Sequence, residues 1–118
     1  MLFTDIIKSN KEFSRVYKKG RYCSNDLICV YYLRNNTPYN KLGITVSKKL
    51  GNAVERNRAK RIIRAAYRES ERCLPLGYDL VAVARAGIKG KKSTDIKRFF
   101  VSTLNADINR SFKKGKKQ

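Results

Sequence analysis

Two apolar runs, Lys41-Leu42-Gly43-Ile44-Thr45-Val46-Ser47 and Tyr78-Asp79-Leu80-Val81-Ala82-Val83-Ala84, bracket a long stretch of helical periodicity. The first run alternates. Leu42, Ile44 and Val46 share one face and Gly43, Thr45 and Ser47 the other, as the two-residue period of a strand requires. The second run is continuously apolar, the mark of a strand buried on both faces. Strand, helix and strand in this order imply a parallel pair joined by a crossover helix.

Upstream, residues 27–33 are rich in β-branched and aromatic side chains and read as another strand. Asn35-Asn36-Thr37-Pro38 is turn chemistry, so this strand and residues 41–47 are expected to pair as an antiparallel hairpin with a longer loop. Before them, Ser9 and Glu12 form an S-x-x-E capping box at the start of a helix over residues 10–19. Phe13, Val16 and Tyr17 give that helix an apolar face, and Gly20 is expected to end it as a left-handed cap. Ser93 or Thr94 is expected to cap a last helix carrying Ile96, Phe99, Phe100, Leu104 and Ile108. The element order α-β-β-β-α-β-α gives an α/β (α+β) two-layer sandwich on a small mixed four-stranded sheet. Residues 1–112 are expected to form a single domain, and residues 113–118 a disordered basic tail.

Composition narrows the function. With 28 Lys+Arg against 9 Asp+Glu, the 118 residues carry a formal charge of +19. Such self-repulsion requires a polyanionic partner. No apolar run reaches the ~18 residues of a membrane span. Residues 1–7 are too short and too acidic for a signal peptide, so a cytoplasmic protein with no membrane partner is expected. The chain has no His, and its three cysteines, Cys23, Cys29 and Cys73, form no C-x-x-C pair. Small semi-buried thiols are expected in place of a zinc site or disulfides. The acids are scattered, and Glu55 and Asp79 read as a capping partner and a strand-edge residue. The chain alone is expected to be catalytically inert.

The charge is concentrated on the helix between the two runs. Asn52 caps it, with Glu55 three residues on. At 100° per residue, Ala59, Ile62, Ile63, Ala66 and Tyr67 fall on the core side. Arg56, Lys60, Arg64 and Arg68 recur every fourth residue as a row on another side, joined by Asn57 and Arg61, with Arg58 on the far flank. Like charges at i, i+4 repel by a few tenths of a kcal/mol per pair, and a merely solvated face would mix the signs. The arginine forks favour phosphate. Lys48 and Lys49 stand just before the helix N-terminus, whose free amides can take another phosphate.

The stretch Ser47-Lys48-Lys49-Leu50-Gly51-Asn52-Ala53-Val54-Glu55-Arg56-Asn57-Arg58-Ala59-Lys60-Arg61-Ile62-Ile63-Arg64 resembles the Arg-Asn-Arg motif of the bacterial ribonuclease P protein subunit. Glu12-Phe13, Val16-Tyr17 and Gly20 are similar to that family's first helix, Leu42 to Val46 to its central strand, and Tyr78 to Arg85 to its last strand. The resemblance implies a left-handed crossover, against the general rule. It also implies a protein that binds a catalytic RNA through Lys48, Lys49, Asn52, Arg56, Asn57, Arg58, Lys60, Arg61, Arg64 and Arg68. A cleft between the first helix and the sheet would hold the single-stranded 5′ leader of precursor tRNA. Mg²⁺, held mainly by the RNA, would serve the hydrolysis, with no obligate protein partner.

Single strands are bound by stacking on aromatic planes beside cations. Phe13 and Tyr17 lie one turn apart on the first helix. Tyr31 and Tyr32 point to opposite sheet faces, and the resemblance selects Tyr31. Phe13 divides evenly between a core and an RNA role, and Tyr22 carries no signal. Family members usually have several basic residues before the first helix, whereas residues 1–7 here are apolar with one acid, Asp5. The charge equally fits a small ribosomal or RNA-chaperone protein. A DNA-reading helix fits less well, because only Asn57 is suited to reading bases.

Overall fold

The computed structural model describes residues 3–116, with side chains through residue 111. Five strands form one sheet: β1 (Thr4–Ile6), β2 (Arg21–Ser24), β3 (Ile28–Arg34), β4 (Asn40–Thr45) and β5 (Tyr78–Ala84). The helices are α1 (Asn10–Lys19), α2 (Ala53–Ser70), α3 (Ser93–Arg98) and α4 (Asn105–Lys116), with a π-helical segment, Phe99–Leu104, joining the last two. The strand order is β1-β4-β5-β3-β2. The mixed α+β class is as expected, with five strands in place of four.

The expected hairpin between β3 and β4 does not form. Strand β5 inserts between them, parallel to β4 (Leu42 opposite Leu80) and antiparallel to β3 (Tyr31 opposite Val81). The centre of a sheet is where both faces of a strand are covered, and β5, apolar without a break from Leu80 to Ala84, takes it. The local antiparallel pair is β2 with β3, which sets Tyr22 opposite Tyr31. Asn35 still makes the turn. Its Nδ2 donates to Asp79 Oδ1 at 2.9 Å, so Asp79 is a buried residue opening the central strand, not an edge residue.

Helices occupy both sheet faces. On one, Ile28, Val30, Tyr32, Leu42, Leu80 and Ala82 pack against Ala59, Ile63, Ala66 and Tyr67 of α2. Ile96, Phe99, Phe100, Leu104 and Ile108 complete this main core. A spacing of four residues overshoots the 3.6-residue α-turn, and the wider π turn keeps these side chains on one side. The cap of α3 falls on Lys92, whose N–H donates to Asp95 Oδ2 at 2.9 Å, not on Ser93 or Thr94. Helix α4 continues through residues 113–116, inside the stretch expected to be a tail, and residues 117–118 lie outside the described residues.

Helix α1 covers the opposite face, where Val16, Ile7 and Val81 are buried with Phe13, Tyr31 and Val83 against them. Only half of its capping box forms. Glu12 N–H donates to Ser9 Oγ at 3.2 Å, while the Glu12 carboxylate accepts from the Ser9 hydroxyl and from Lys41 Nζ, both at 3.0 Å. Gly20 ends the helix in extended backbone, φ −80° and ψ 166°, not in a left-handed cap. Its glycine is required by space, since a β-carbon would stand 2.6 Å from the Val16 carbonyl oxygen and 2.7 Å from that of Tyr32.

The sequence reading missed β1. It runs parallel to β4, Thr4 opposite Asn40, and the buried Glu71 pins it by accepting from Phe3 N–H at 2.9 Å and Thr4 Oγ1 at 2.6 Å. Asn40 is wholly buried. Its Oδ1 accepts from Tyr78 N–H at 2.9 Å, and its Nδ2 donates to the Pro75 carbonyl at 3.0 Å and the Tyr67 hydroxyl at 3.3 Å. These bonds offset the desolvation of a buried amide. Cys23 and Cys29 are free and half-buried as expected, but Cys73 is exposed at the turn after α2.

Candidate nucleic-acid interface

Helix α2 starts as its sequence dictates, with Glu55 N–H donating to Asn52 Oδ1 at 2.9 Å. Before it, Leu50 is buried and seats a 3₁₀ turn, Lys48–Leu50, which leaves Lys48 and Lys49 exposed beside the helix N-terminus. Asn57, Lys60, Arg61, Arg64 and Arg68 are exposed along the solvent side. The twelve steps from Arg56 to Arg68 rise roughly 18 Å along the axis, room for several backbone phosphates.

Two of the three motif residues are partly engaged within the protein. Arg56 Nη1 donates to the Gly51 carbonyl at 3.2 Å, and Arg58 Nη2 to the Lys91 carbonyl at 2.6 Å. Both are half-buried, and Asn57 between them is exposed. Arg58 thus ties the Lys89-Gly90-Lys91-Lys92 loop to the helix, in keeping with its place on the core edge. The acids of the helix are turned towards other elements: Glu55 pairs with Lys89 at 3.7 Å and Glu69 with Lys97 at 3.9 Å. Among the described residues, Lys60, Arg61, Arg64 and Arg68 take part in no ion pair.

The aromatic residues lie on the other sheet face. The Phe13 ring is half-buried among Ile7, Gly43 and Val16, so its packing role is substantial. Tyr17 is exposed, and its ring meets Tyr31 edge-on with centroids 4.9 Å apart. The Tyr17 hydroxyl reaches Thr45 Oγ1 at 3.3 Å. Thr45 ends β4 just before the Lys48–Leu50 turn, so this end of the aromatic surface adjoins the start of the cationic helix. Arg15, Lys18 and Lys19 are exposed along α1.

Tyr32 points the opposite way, as strand alternation requires. Its buried hydroxyl bonds to the Asp107 carboxylate and, at 3.1 Å, to Ser111 Oγ, fastening α4 to β3. Burial first, and then the neighbouring carboxylate, push the Tyr32 phenol up to about 12. Burial also raises the Tyr31 phenol, so both hydroxyls are neutral near pH 7. The hydrogen bond from Lys41, followed by that from Ser9, holds the Glu12 carboxyl below its ordinary value.

The sequence reading passed over Tyr22. Its register opposite Tyr31 brings the two ring centroids to 5.6 Å. Such a neighbour follows from pairing between strands and has no signal along the chain.

The fold and these surfaces define a small basic α+β protein with a polycationic helix on one sheet face and an aromatic surface on the other. The chain belongs to the ribonuclease P protein family, whose family profile, Ribonuclease P, matches residues 3–108. It is similar to the "Ribonuclease P protein component" of Alkaliphilus metalliredigens, 43% identical over 83 residues that cover 70% of this chain and 75% of the relative. The protein of the same name from Clostridium botulinum strain Loch Maree is 41% identical over 99 residues, 83% of this chain and 89% of the relative. Among solved structures, the Staphylococcus aureus RNase P protein superposes with a TM-score of 0.73 at 36% identity, covering 88% of this chain and 94% of that one. No helix among the described residues is long and apolar enough to cross a membrane.

Proposed function

We propose that this chain is the protein subunit of a ribonuclease P holoenzyme. It binds the catalytic RNA through α2 and the Lys48–Leu50 turn, and holds the 5′ leader of precursor tRNA on the aromatic surface beside α1. The observation that carries the reading is the cation row itself. Lys60, Arg61, Arg64 and Arg68 stand exposed while the acids of their own helix pair elsewhere. A polyanion removes the resulting repulsion, and counterions released from its phosphates drive association.

The protein's contribution is binding and orientation. Arginine forks on α2 grip phosphate oxygens bidentately. On the other face, Tyr17 and Tyr31 present planes on which unpaired bases stack, with Phe13 setting the floor. Precursor tRNA is thereby distinguished from mature tRNA by the leader alone. Phosphodiester hydrolysis is assigned to the RNA with its Mg²⁺. Among the described residues, no three of His, Cys, Asp and Glu gather to hold a metal, so no step is assigned to a metal on the protein. The reading carries with it a cytoplasmic location and no obligate protein partner.

Identifying the RNA that co-purifies with the chain from its native cell tests this. Ribonuclease P RNA is expected in stoichiometric amount. Stoichiometric ribosomal RNA, with co-sedimentation on a ribosomal subunit, would replace the proposal with a ribosomal role.

A further inference from the structure

Tyr22 has no part in the core. It is 65% exposed on the edge strand β2, on the same face as Tyr17 and Tyr31. Together the three rings make a continuous line. Tyr17 lies 4.9 Å from Tyr31, and Tyr31 lies 5.6 Å from Tyr22, tilted at 42°. The line starts over the sheet centre, where the Tyr17 hydroxyl meets Thr45, and ends at the sheet edge. A cross-strand tyrosine pair also steadies a two-stranded ribbon, but that role alone does not call for a ring left mostly in water at an unprotected edge.

Arg21 pairs opposite Tyr32 and so faces the α4 side of the sheet, away from the Tyr22 ring. The line is therefore one of ring planes, each a surface on which a base of a single strand stacks.

We propose that the leader track continues past Tyr31 to the sheet edge, where Tyr22 stacks a further leader nucleotide. This extends the leader reading given above and rests on it. The chain then grips a longer leader than Tyr17 and Tyr31 reach by themselves.

The test measures holoenzyme affinity for precursor tRNAs whose leaders grow one nucleotide at a time, with mature tRNA as the zero-length control. The wild-type curve is expected to rise once at Tyr31 and again when the leader reaches Tyr22. Tyr22→Ala removes the second rise, on the order of 5- to 150-fold in affinity, and Tyr22→Phe keeps it. Superimposable wild-type and Tyr22→Ala curves overturn the proposal, as does an equal loss at every length including mature tRNA. Tyr31→Ala separates the two levels. If it weakens leader binding while Tyr22→Ala has no effect, the extension falls and the leader reading stands. If neither changes the length dependence, both fall.

Discussion

The Phe13 ring lies directly over the backbone of Gly43: a β-carbon at Gly43 would stand 2.5 Å from Phe13 Cε1 and 2.7 Å from Cζ. This contact seats α1 on β4. Val16 is the only α1 residue fully buried, a contribution of about 1.5–3 kcal/mol, so the helix depends heavily on the Phe13 contact. Gly43→Ala is expected to destabilise the protein by about 1–3 kcal/mol, the usual range for an overpacked site. The check is a lower urea midpoint at unchanged slope. An unchanged midpoint would show that the ring swings aside freely.

The two arginines of α2 that differ most in their surroundings separate binding from folding. Arg61 is exposed, whereas Arg58 donates to the Lys91 carbonyl. Arg61→Ala is expected to weaken binding of ribonuclease P RNA and to lower the slope of log affinity against log salt by about 0.7–0.9, with the melting temperature unchanged. Arg58→Ala is expected to lower the melting temperature and to change the slope less. Equal slopes for wild type and Arg61→Ala would place Arg61 off the interface.

On the opposite face, Tyr31→Ala is expected to weaken precursor tRNA binding by roughly 1–3 kcal/mol, the worth of one base stack. Mature tRNA affinity should stay as it is, and Tyr31→Phe should retain the stack. Equal losses on the two tRNAs would remove Tyr31 from the leader site.

Tyr32 sets an alkaline limit on stability. Its phenol is pushed up to about 12 in the folded chain, against about 10 when unfolded. A raised folded value means the unfolded state loses its proton first. The contribution of Tyr32 is therefore complete below about pH 10 and is lost as pH rises through about 12. Tyr32→Phe, which cannot ionise, is expected to flatten that part of the stability curve while lowering stability at neutral pH through loss of the bond to Asp107. A stability curve of unchanged shape between those pH values would contradict the assignment.

The parts of this molecule that were legible in the sequence are those specified locally. Helix α2 carries its own cap at Asn52, an apolar stripe and a cation row, and all three lie within its own length. Strand β5 announced its burial on both faces through composition alone. The errors arose where distant segments decide. Nothing in Thr4-Asp5-Ile6 marks a strand until β4 offers it an edge and Glu71 accepts from the Thr4 hydroxyl and the Phe3 N–H before it. The β3–β4 hairpin was the natural reading of neighbours in sequence, yet β5 separates them. Tyr22 is an isolated tyrosine in the sequence and gains a meaning only from its register with Tyr31. In the candidate interface, the arginine row could be read in advance. The diversion of Arg56 and Arg58 into bonds with Gly51 and Lys91 could not, because it depends on how α2 meets its flanking loops.

The central claim is that this chain lends binding energy to an RNA that performs the cleavage. Single-turnover cleavage of precursor tRNA by a bacterial ribonuclease P RNA, at a Mg²⁺ concentration too low for the RNA alone, tests it most directly. Adding the protein is expected to restore correct removal of the 5′ leader, and the protein without RNA is expected to cleave nothing. No gain in cleavage on adding the folded protein would contradict the account.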